Sequence, residues 1–341
     1  MDNTEFLSGG VNLVLPTKNN PKVYLNIENG RSAREAFKLY NPFSKKARLL
    51  KTFTKFLSIY FNFFAKIILP TVRSEKSKFI QELERRLDKE IKSSVYLSTA
   101  HDKVVLQLLE NGSILGYLKY AISPLGHKRI LNEKKATKML FELDLIPELI
   151  DEGSYDKRPY IILQNVEGSI GNLEPSQYQV VLDLFKKQNS FKLVDHPRIH
   201  KLRSQLEFLE LWELCEILDQ AINHSTNQYY EVFEHGDFAP WNLIWVANEL
   251  MPFDFEYFEE HGLEHLDALK FQFQVNHLLH NKRDKKLLES IRNEVGIPEF
   301  NSIFSVFLIK EILMKVEVDE PYGMEMSLLN LLSYKNISTI E

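Results

Sequence analysis

Glu234-His235-Gly236-Asp237-Phe238-Ala239-Pro240-Trp241-Asn242-Leu243-Ile244-Trp245 is the stretch on which the reading of this chain turns. Asp237 and Asn242 are five residues apart with Pro240 between them, so they sit on a bent loop and not on one helix face. A loop can turn both side chains towards one point. Twelve residues after Asn242 comes Asp254, in Pro252-Phe253-Asp254-Phe255-Glu256, at the end of a short apolar strand-like run. It can approach the same point from another direction. Carboxylate and amide oxygens brought together in this way suit a hard cation such as Mg2+. Each residue alone has a plainer explanation. Gly-Asp is turn chemistry, and a single histidine is more often structural than catalytic. The combination is what carries the chemistry.

Upstream of this loop, Val95–Leu97, Val104–Leu109 and Ile114–Tyr120 read as three short strands. Asn111-Gly112 between the second and third is a strong hairpin signal. Lys128–Leu143 reads as a helix, with Ile130, Leu131, Ala136, Met139, Leu140 and Leu143 on an apolar face. Two further strand-like runs follow, Glu148–Ile150 and Tyr160–Leu163. After Gly168 the chain turns helical: Tyr178–Lys187, Arg203–Asn223, Ala268–Leu279 and Phe304–Lys315 are helix candidates. In the second of these Leu211, Leu214, Cys215, Leu218 and Ile222 share a face, which makes Cys215 a core residue.

The chain has 341 residues, enough to bury a sizeable core in one large domain or two ordinary ones. A hydrophobic fraction of 44% with 26% charged residues excludes collagen-like and wholly disordered chains. Thirteen glycines and thirteen prolines are few for an all-β protein rich in tight turns. A net charge of −5 gives no case for nucleic-acid binding. One cysteine excludes an intramolecular disulfide framework and a cysteine zinc site, and a reducing, cytoplasmic compartment is the simplest fit. Met1–Gly10 is polar and carries Asp2 and Glu5, so it does not read as a signal peptide. Phe53–Leu69 is interrupted by Lys55, Asn62 and Lys66, too short and too polar for a membrane span.

The charge is segregated. Lys45–Lys78 holds nine basic residues and only Glu75 as an acid, a local +8 that leaves −13 on the rest. Leu49, Leu50, Phe53, Phe56, Leu57, Ile59, Tyr60, Phe63, Phe64, Ile67 and Ile68 are interleaved with those charges, as in a helix with a wide apolar face. The preferred reading is a helix packed on the main body with its lysines in solvent, because amphipathic helices mostly serve cores. The alternative is a peripheral membrane helix, apolar side in lipid and lysines on anionic headgroups. Conversely, Glu231–Lys270 holds ten acids and one base, Lys270. That is an acidic surface, or a region that attracts metal ions or a cationic acceptor.

An aspartate aimed at an acceptor hydroxyl, with an asparagine and a second aspartate on magnesium, are the working parts of kinase-type phosphoryl transfer. The His235-x-Asp237-x-x-x-x-Asn242 spacing is that of a kinase catalytic loop. With Asp254-Phe255-Glu256 after it, the stretch closely resembles the aminoglycoside phosphotransferase and choline kinase-like family. The resemblance extends from about Ser94 to the C-terminal helices. It implies an α+β, bilobal, protein kinase-like fold: a small lobe of five strands and a helix, and a larger, mostly helical lobe. It implies Asp237 as catalytic base or orienting aspartate, His235 as the brace of the catalytic loop, and Asn242 and Asp254 as Mg2+ ligands. Glu256 would assist at the metal or structurally, and Asp267 would support the loop. A kinase of this type needs a lysine on the third strand and a glutamate on the next helix, and Lys119 and Glu133 fall in that order. Gln164 and Asn165 follow the fifth strand, where the hinge should meet adenine. The turn over the phosphates, Leu97–Asp102, has no glycine, so Ser98 and Thr99 would donate there instead.

These readings divide the chain into a helical extension (1–90), a nucleotide-binding lobe (91–165) and a catalytic and substrate lobe (166–341). They predict an ATP- and Mg2+-dependent kinase acting on a small-molecule hydroxyl, with no nucleic-acid partner and with membrane contact through 45–78 as an option. The extension, with its short strand Val23–Ile27, resembles kinase-like proteins of surface-polysaccharide or glycolipid pathways. Two alternatives stand beside this: a pseudokinase or nucleotide-sensing scaffold at a membrane, and an aminoglycoside-modifying kinase.

Overall fold

The computed structural model describes residues 3–42, 45–97, 102–143, 146–169 and 175–332. They form two compact units. The first holds the described residues up to Phe141 together with Pro147–Glu167, and the second Glu142, Leu143 and Ile146 together with those from Gly168 on.

The first unit is built on one antiparallel sheet. In chain order its elements are β1 (Ser8–Thr17), β2 (Asn20–Asn26), α1 (Gly30–Ala36), α2 (Lys45–Tyr60), α3 (Asn62–Ile68), β3 (Thr71–Lys76), α4 (Lys78–Leu87), β4 (Lys92–Leu97), β5 (Lys103–Glu110), β6 (Ser113–Ala121), α5 (Pro124–Leu140), β7 (Leu149–Tyr155) and β8 (Arg158–Gln164). The expected three strands, helix and two strands are β4 to β8 with α5. The Asn111-Gly112 hairpin turn has both residues at positive φ, 50° and 76°, the geometry a two-residue turn demands.

The sheet is wider than five strands. Its order is β3-β1-β2-β4-β5-β6-β8-β7, because β2 pairs with β4 and carries β1 and β3 with it. The expected boundary at 90/91 therefore falls inside a compact unit, and the extension is part sheet and not only helical. Alternation decides which side chain faces which helix. Leu13, Leu15, Val23 and Leu25 pack with Ala33 and Phe37 of α1, while Val14, Tyr24, Val95 and Leu106 pack with Phe79, Ile80 and Leu83 of α4. Ile161 and Leu163 of β8 face Ile130 of α5, and Tyr160 and Ile162 join the α4 side. Covering on both faces explains why Tyr160–Leu163 is a continuous apolar run.

Helix α2 packs on the body, as the preferred reading has it, but most of its large apolar side chains do not make that contact. Its buried residues are Thr54 and Ser58, whereas Leu49, Phe53, Phe56 and Tyr60 are exposed. The helix packs on the body by Thr54, Ser58 and Ile59, and most of its large apolar side chains face outward.

The second unit contains α6 (Pro175–Leu184), β9 (Lys186–Lys192), α7 (Pro197–Phe208), α8 (Trp212–Asn223), β10 (Gln228–Glu234), β11 (Leu243–Val246), β12 (Glu249–Pro252), β13 (Glu259–Leu263), α9 (Leu266–Gln274), α10 (Asp284–Val295), α11 (Phe300–Glu317) and α12 (Gly323–Leu332). Strands β13, β10 and β9 form one sheet, and β11 and β12 a hairpin. The core gathers α7 to α12 around α11, which is buried from Phe300 to Leu313 save Asn301. Cys215 lies in that core, as expected. Two helix expectations are corrected. Arg203–Asn223 is broken because Glu210 adopts φ 56° and the Leu211 N–H closes on the Leu206 carbonyl at 3.0 Å. Tyr178–Lys187 ends at Leu184, and Lys186 instead opens β9, paired with Val232 of β10 through Lys186.

Candidate active site

In the second unit, β10 delivers the chain into the loop at His235. Gly236 has φ 83°, and a Cβ there would lie 2.3 Å from the Tyr257 carbonyl oxygen, so only glycine fits this turn. A short 3-10 turn over Pro240–Asn242 then brings Asn242 back towards Asp237. The Asn242 side-chain amide donates to the Asp237 carbonyl at 2.8 Å and to its Oδ2 at 3.0 Å. Both Nδ2 bonds go to Asp237, so the amide oxygen Oδ1 is the ligand atom that Asn242 can offer a cation.

The β11–β12 hairpin turns at Ala247 and Asn248, both at positive φ, and returns the chain beside the loop. The Phe253 N–H donates to the Asn242 carbonyl at 3.0 Å. His235, fully buried, bonds through Nε2 to the Phe253 carbonyl at 2.9 Å and accepts the Asp237 N–H on Nδ1 at 3.3 Å. That pair of bonds defines the neutral tautomer with its proton on Nε2. The ring also lies 4.4 Å from the Phe255 ring. His235 thus braces both arms of the loop and is a positioning residue. Asp254 follows with φ 69°, and a carboxylate oxygen of Asp254 lies within 4.8 Å of one of Glu256. The side chains of Asn242, Asp254 and Glu256 each offer oxygen, the donor type that suits a hard divalent cation.

Beneath the loop lies a network of buried charges that the sequence reading did not find, Asp267 apart. Asp267, in the first turn of α9, accepts the His235 N–H at 2.7 Å and the Gly236 N–H at 2.9 Å. Burial and the nearby Glu234 push its carboxyl up to about 7. Glu234 is fully buried between two cations: Arg198 of α7 bonds it at 3.0 Å and Lys310 of α11 lies 3.2 Å away. Burial opposes its charge, but the Arg198 guanidinium and the Lys310 ammonium prevail and hold its carboxyl below the ordinary value. Lys310 also donates to the Gly236 carbonyl at 3.0 Å.

Lys270, one turn along α9 from Asp267, places its ammonium 3.4 Å from Asp237 Oδ1 and 2.7 Å from Glu311 Oε2. Burial disfavours its charge, yet Glu311 and Asp237 raise its pKa above that of an ordinary lysine. Asp237 is therefore held by Asn242 from one side and Lys270 from another, with 28% of its side chain open to solvent. That is the arrangement of an orienting carboxylate: fixed in direction, reachable by a ligand. Arg198, Lys270, Lys310 and Glu311 escaped notice because helical charges read as solvent-facing unless a burial pattern says otherwise. For Lys310 and Glu311 one existed: they lie inside the apolar Phe304–Lys315 run. Trp241 is 37% exposed.

In the first unit, Lys119 lies mid-strand on β6 and both carboxylate oxygens of Glu133 on α5 meet it at 2.7 Å. Glu133 is 1% exposed and Lys119 11%, so the pair is nearly enclosed. α5 is set by Ser123, whose hydroxyl caps it at Gly126, and by a second buried pair, Arg129 to Asp102 at 2.6 Å. Asp102 is the far end of the glycine-free turn; Ser98 and Thr99 lie outside the described residues. Gln164 is exposed and its N–H is taken by the Glu148 carbonyl at 2.8 Å, while Asn165 is half-buried.

The second unit thus holds a loop aspartate bonded by an asparagine and a lysine, and the first unit, by itself, an enclosed strand-lysine to helix-glutamate pair. No family model matches the chain, and no curated protein matches it. Solved structures similar to it include an aminoglycoside phosphotransferase from Streptomyces rimosus, at 13% identity and a TM-score of 0.45, covering 69% of this chain and 97% of that one. A Plasmodium vivax ethanolamine kinase is similar at 12% identity and a TM-score of 0.42, covering 89% and 93%. An amicoumacin kinase in complex with AMP-PNP and Ca2+ is similar at 11% identity and a TM-score of 0.41, covering 70% and 86%.

Proposed function

We propose that this protein is an ATP- and Mg2+-dependent phosphotransferase acting on a hydroxyl of a small molecule: a sugar, an amino alcohol or a related metabolite. The observation that carries the reading is Asp237, fixed by Asn242 and Lys270 yet open to solvent. Lys119, held by Glu133, would bind the α- and β-phosphates. Asp237 would accept a hydrogen bond from the acceptor hydroxyl and orient its oxygen towards the γ-phosphorus. Asn242 and Asp254 would hold Mg2+, which, when bound, neutralises charge on the phosphate oxygens. The buried cations behind the loop keep Asp237 in place while it does so.

An ATP-consumption screen over sugars, amino alcohols and aminoglycosides tests this, with Asp237→Ala as control. Turnover that survives Asp237→Ala sinks the site, and turnover on aminoglycosides alone makes the protein an antibiotic-modifying kinase. The glycine-free Leu97–Asp102 turn favours a second reading, a nucleotide-sensing scaffold. Acceptor-dependent ATP turnover that disappears in Asp237→Ala removes it. The proposal also includes a cytoplasmic site of action at the inner face of a membrane, supported by the outward apolar face of α2.

A further inference from the structure

Among the described residues, twenty-three large apolar side chains are exposed, and ten of them fall between Leu49 and Ile68. Scattered exposed apolar residues are normal; a cluster of this size on two adjacent helices is not. On α2, Leu49, Leu50, Phe53, Phe56 and Tyr60 share one helical face, and Phe61, Phe63, Phe64, Ile67 and Ile68 extend the exposure along α3. Phe53, Phe63 and Ile67 are 57%, 72% and 67% exposed.

The face is not a frayed end. Asn62 donates to the Ile27 carbonyl at 3.0 Å and Lys66 to the Glu28 carbonyl at 2.7 Å, and both carbonyls belong to the body of the unit. Thr54, Ser58 and Ala65 are the buried side chains of the two helices. A Cβ on Gly30 would meet the Ile59 carbonyl at 2.7 Å, so α2 approaches the start of α1 backbone to backbone. Small and polar residues, with Ile59, make the inner seam, and the aromatic ones are held outward.

Charge says what covers this face. The chain has no acidic residue between Glu35 and Glu75, while Lys45, Lys46, Arg48, Lys51, Lys55 and Lys66 all lie there. Arg48, Lys51 and Lys55 line one hollow with Asn41, Pro42 and Thr52. A protein partner of mixed surface would leave these cations uncompensated. A sheet of phosphate groups over acyl chains matches both halves of the pattern at once. No helix among the described residues is long and apolar enough to cross a membrane, so the helices would lie in the interface plane.

We infer that α2 and α3 form a rigid docking face for an anionic phospholipid bilayer, with Phe53, Phe56, Phe63 and Ile67 entering the acyl boundary and Lys45, Lys46, Arg48, Lys51 and Lys55 meeting headgroup phosphates. The inference rests on the membrane-face part of the proposed function and on nothing in the phosphoryl-transfer part.

Co-sedimentation of the full chain with vesicles tests it, using phosphatidylcholine alone and phosphatidylcholine with a quarter phosphatidylglycerol. The chain should partition to the anionic vesicles at least about tenfold more strongly than to the neutral ones. The combined variant Phe53→Ser/Phe56→Ser/Phe63→Ser should lose at least about tenfold of that binding with an unchanged melting temperature, since the side chains it shortens are exposed. Lys45→Glu/Lys46→Glu/Lys55→Glu should abolish the preference for anionic lipid. A full chain that stays in the supernatant with anionic vesicles overturns the inference. So does equal binding to both vesicles, or a soluble dimer that Phe56→Ser returns to monomer. None of these readouts needs a substrate or ATP, so failure here leaves the phosphotransferase reading untouched, and the reverse.

Discussion

The basic stretch around α2 and α3 and the acidic stretch from Glu231 to Lys270 look like mirror images in sequence: +8 in one, −9 in the other. Folding treats them oppositely. In the acidic stretch, cations arrive from distant parts of the second unit. Arg198 and Lys310 meet Glu234, Lys187 meets Glu231 at 2.6 Å, Lys186 meets Glu264 at 2.7 Å, and Lys201 meets Glu259. Much of that charge is spent inside the protein, holding a loop. In the basic stretch Lys51 bonds a neutral Asn41 side chain and Lys66 a carbonyl, and the apolar residues between the cations face solvent. One region is largely neutralised from within the unit; in the other Lys76 meets Glu84 at 2.8 Å, and α2 and α3 carry the exposed apolar residues. A run of like charge therefore says little about a surface until its partners are located.

The sharpest way to test the internal half is Asp237→Ala. Turnover on the acceptor found by the screen should fall by about 10³-fold, within the range of general acid–base groups, while the melting curve stays close to that of the parent chain. Next comes the support. Lys270→Met leaves Glu311 buried without the cation at 2.7 Å, and urea unfolding should show a loss of about 3 kcal/mol. If instead the loss is below about 0.5 kcal/mol, the network is a surface feature and the contrast with α2 collapses.

A smaller effect is a pH slope. The folded Asp267 carboxyl titrates near 7 against an ordinary 3.8, so between those values the folded state holds a proton that the unfolded chain has released. Stability from this group is therefore greatest below that window and falls as pH rises through it, by at most about 1.4 kcal/mol per pH unit. Asp267→Asn should flatten that slope in urea midpoints measured across the window, and equal slopes in both proteins would refute the assignment. The smallest effect belongs to the basic half. Phe56→Ser should change unfolding free energy by no more than about 0.5 kcal/mol, where truncating a core phenylalanine costs about 3–5 kcal/mol. A core-like loss there would mean that the face is covered by the protein itself.

The parts of the fold and site that were readable share a cause. Asp237, Asn242 and Asp254 lie within one loop and one short hairpin, so spacing alone restricts them to a common place. Lys119 and Glu133 could be paired because a strand followed by its helix is a local unit, and the structure joins them at 2.7 Å. β4 to β8 announced themselves by alternation and by Asn111-Gly112. β1 did not: its Gly9, Gly10 and Pro16 are turn residues by composition, and only pairing with β2 and β3 makes the segment a strand. The partners of Arg198 and Lys310 were out of reach, since each meets the segment at Glu234 across many residues of chain.

By itself, the sequence determined the local chemistry: which oxygens share a loop, which helix follows which strand, and that α2 has two unlike faces. Those follow from backbone geometry over a few residues, which side-chain periodicity and turn residues encode directly. Only the tertiary structure decided which face of α2 turns outward, which cations neutralise Glu234 and Asp237, and how many strands the sheet has. Those depend on burial and on contacts between distant segments, where the free energy of a charge or a phenylalanine is set by its neighbours in space.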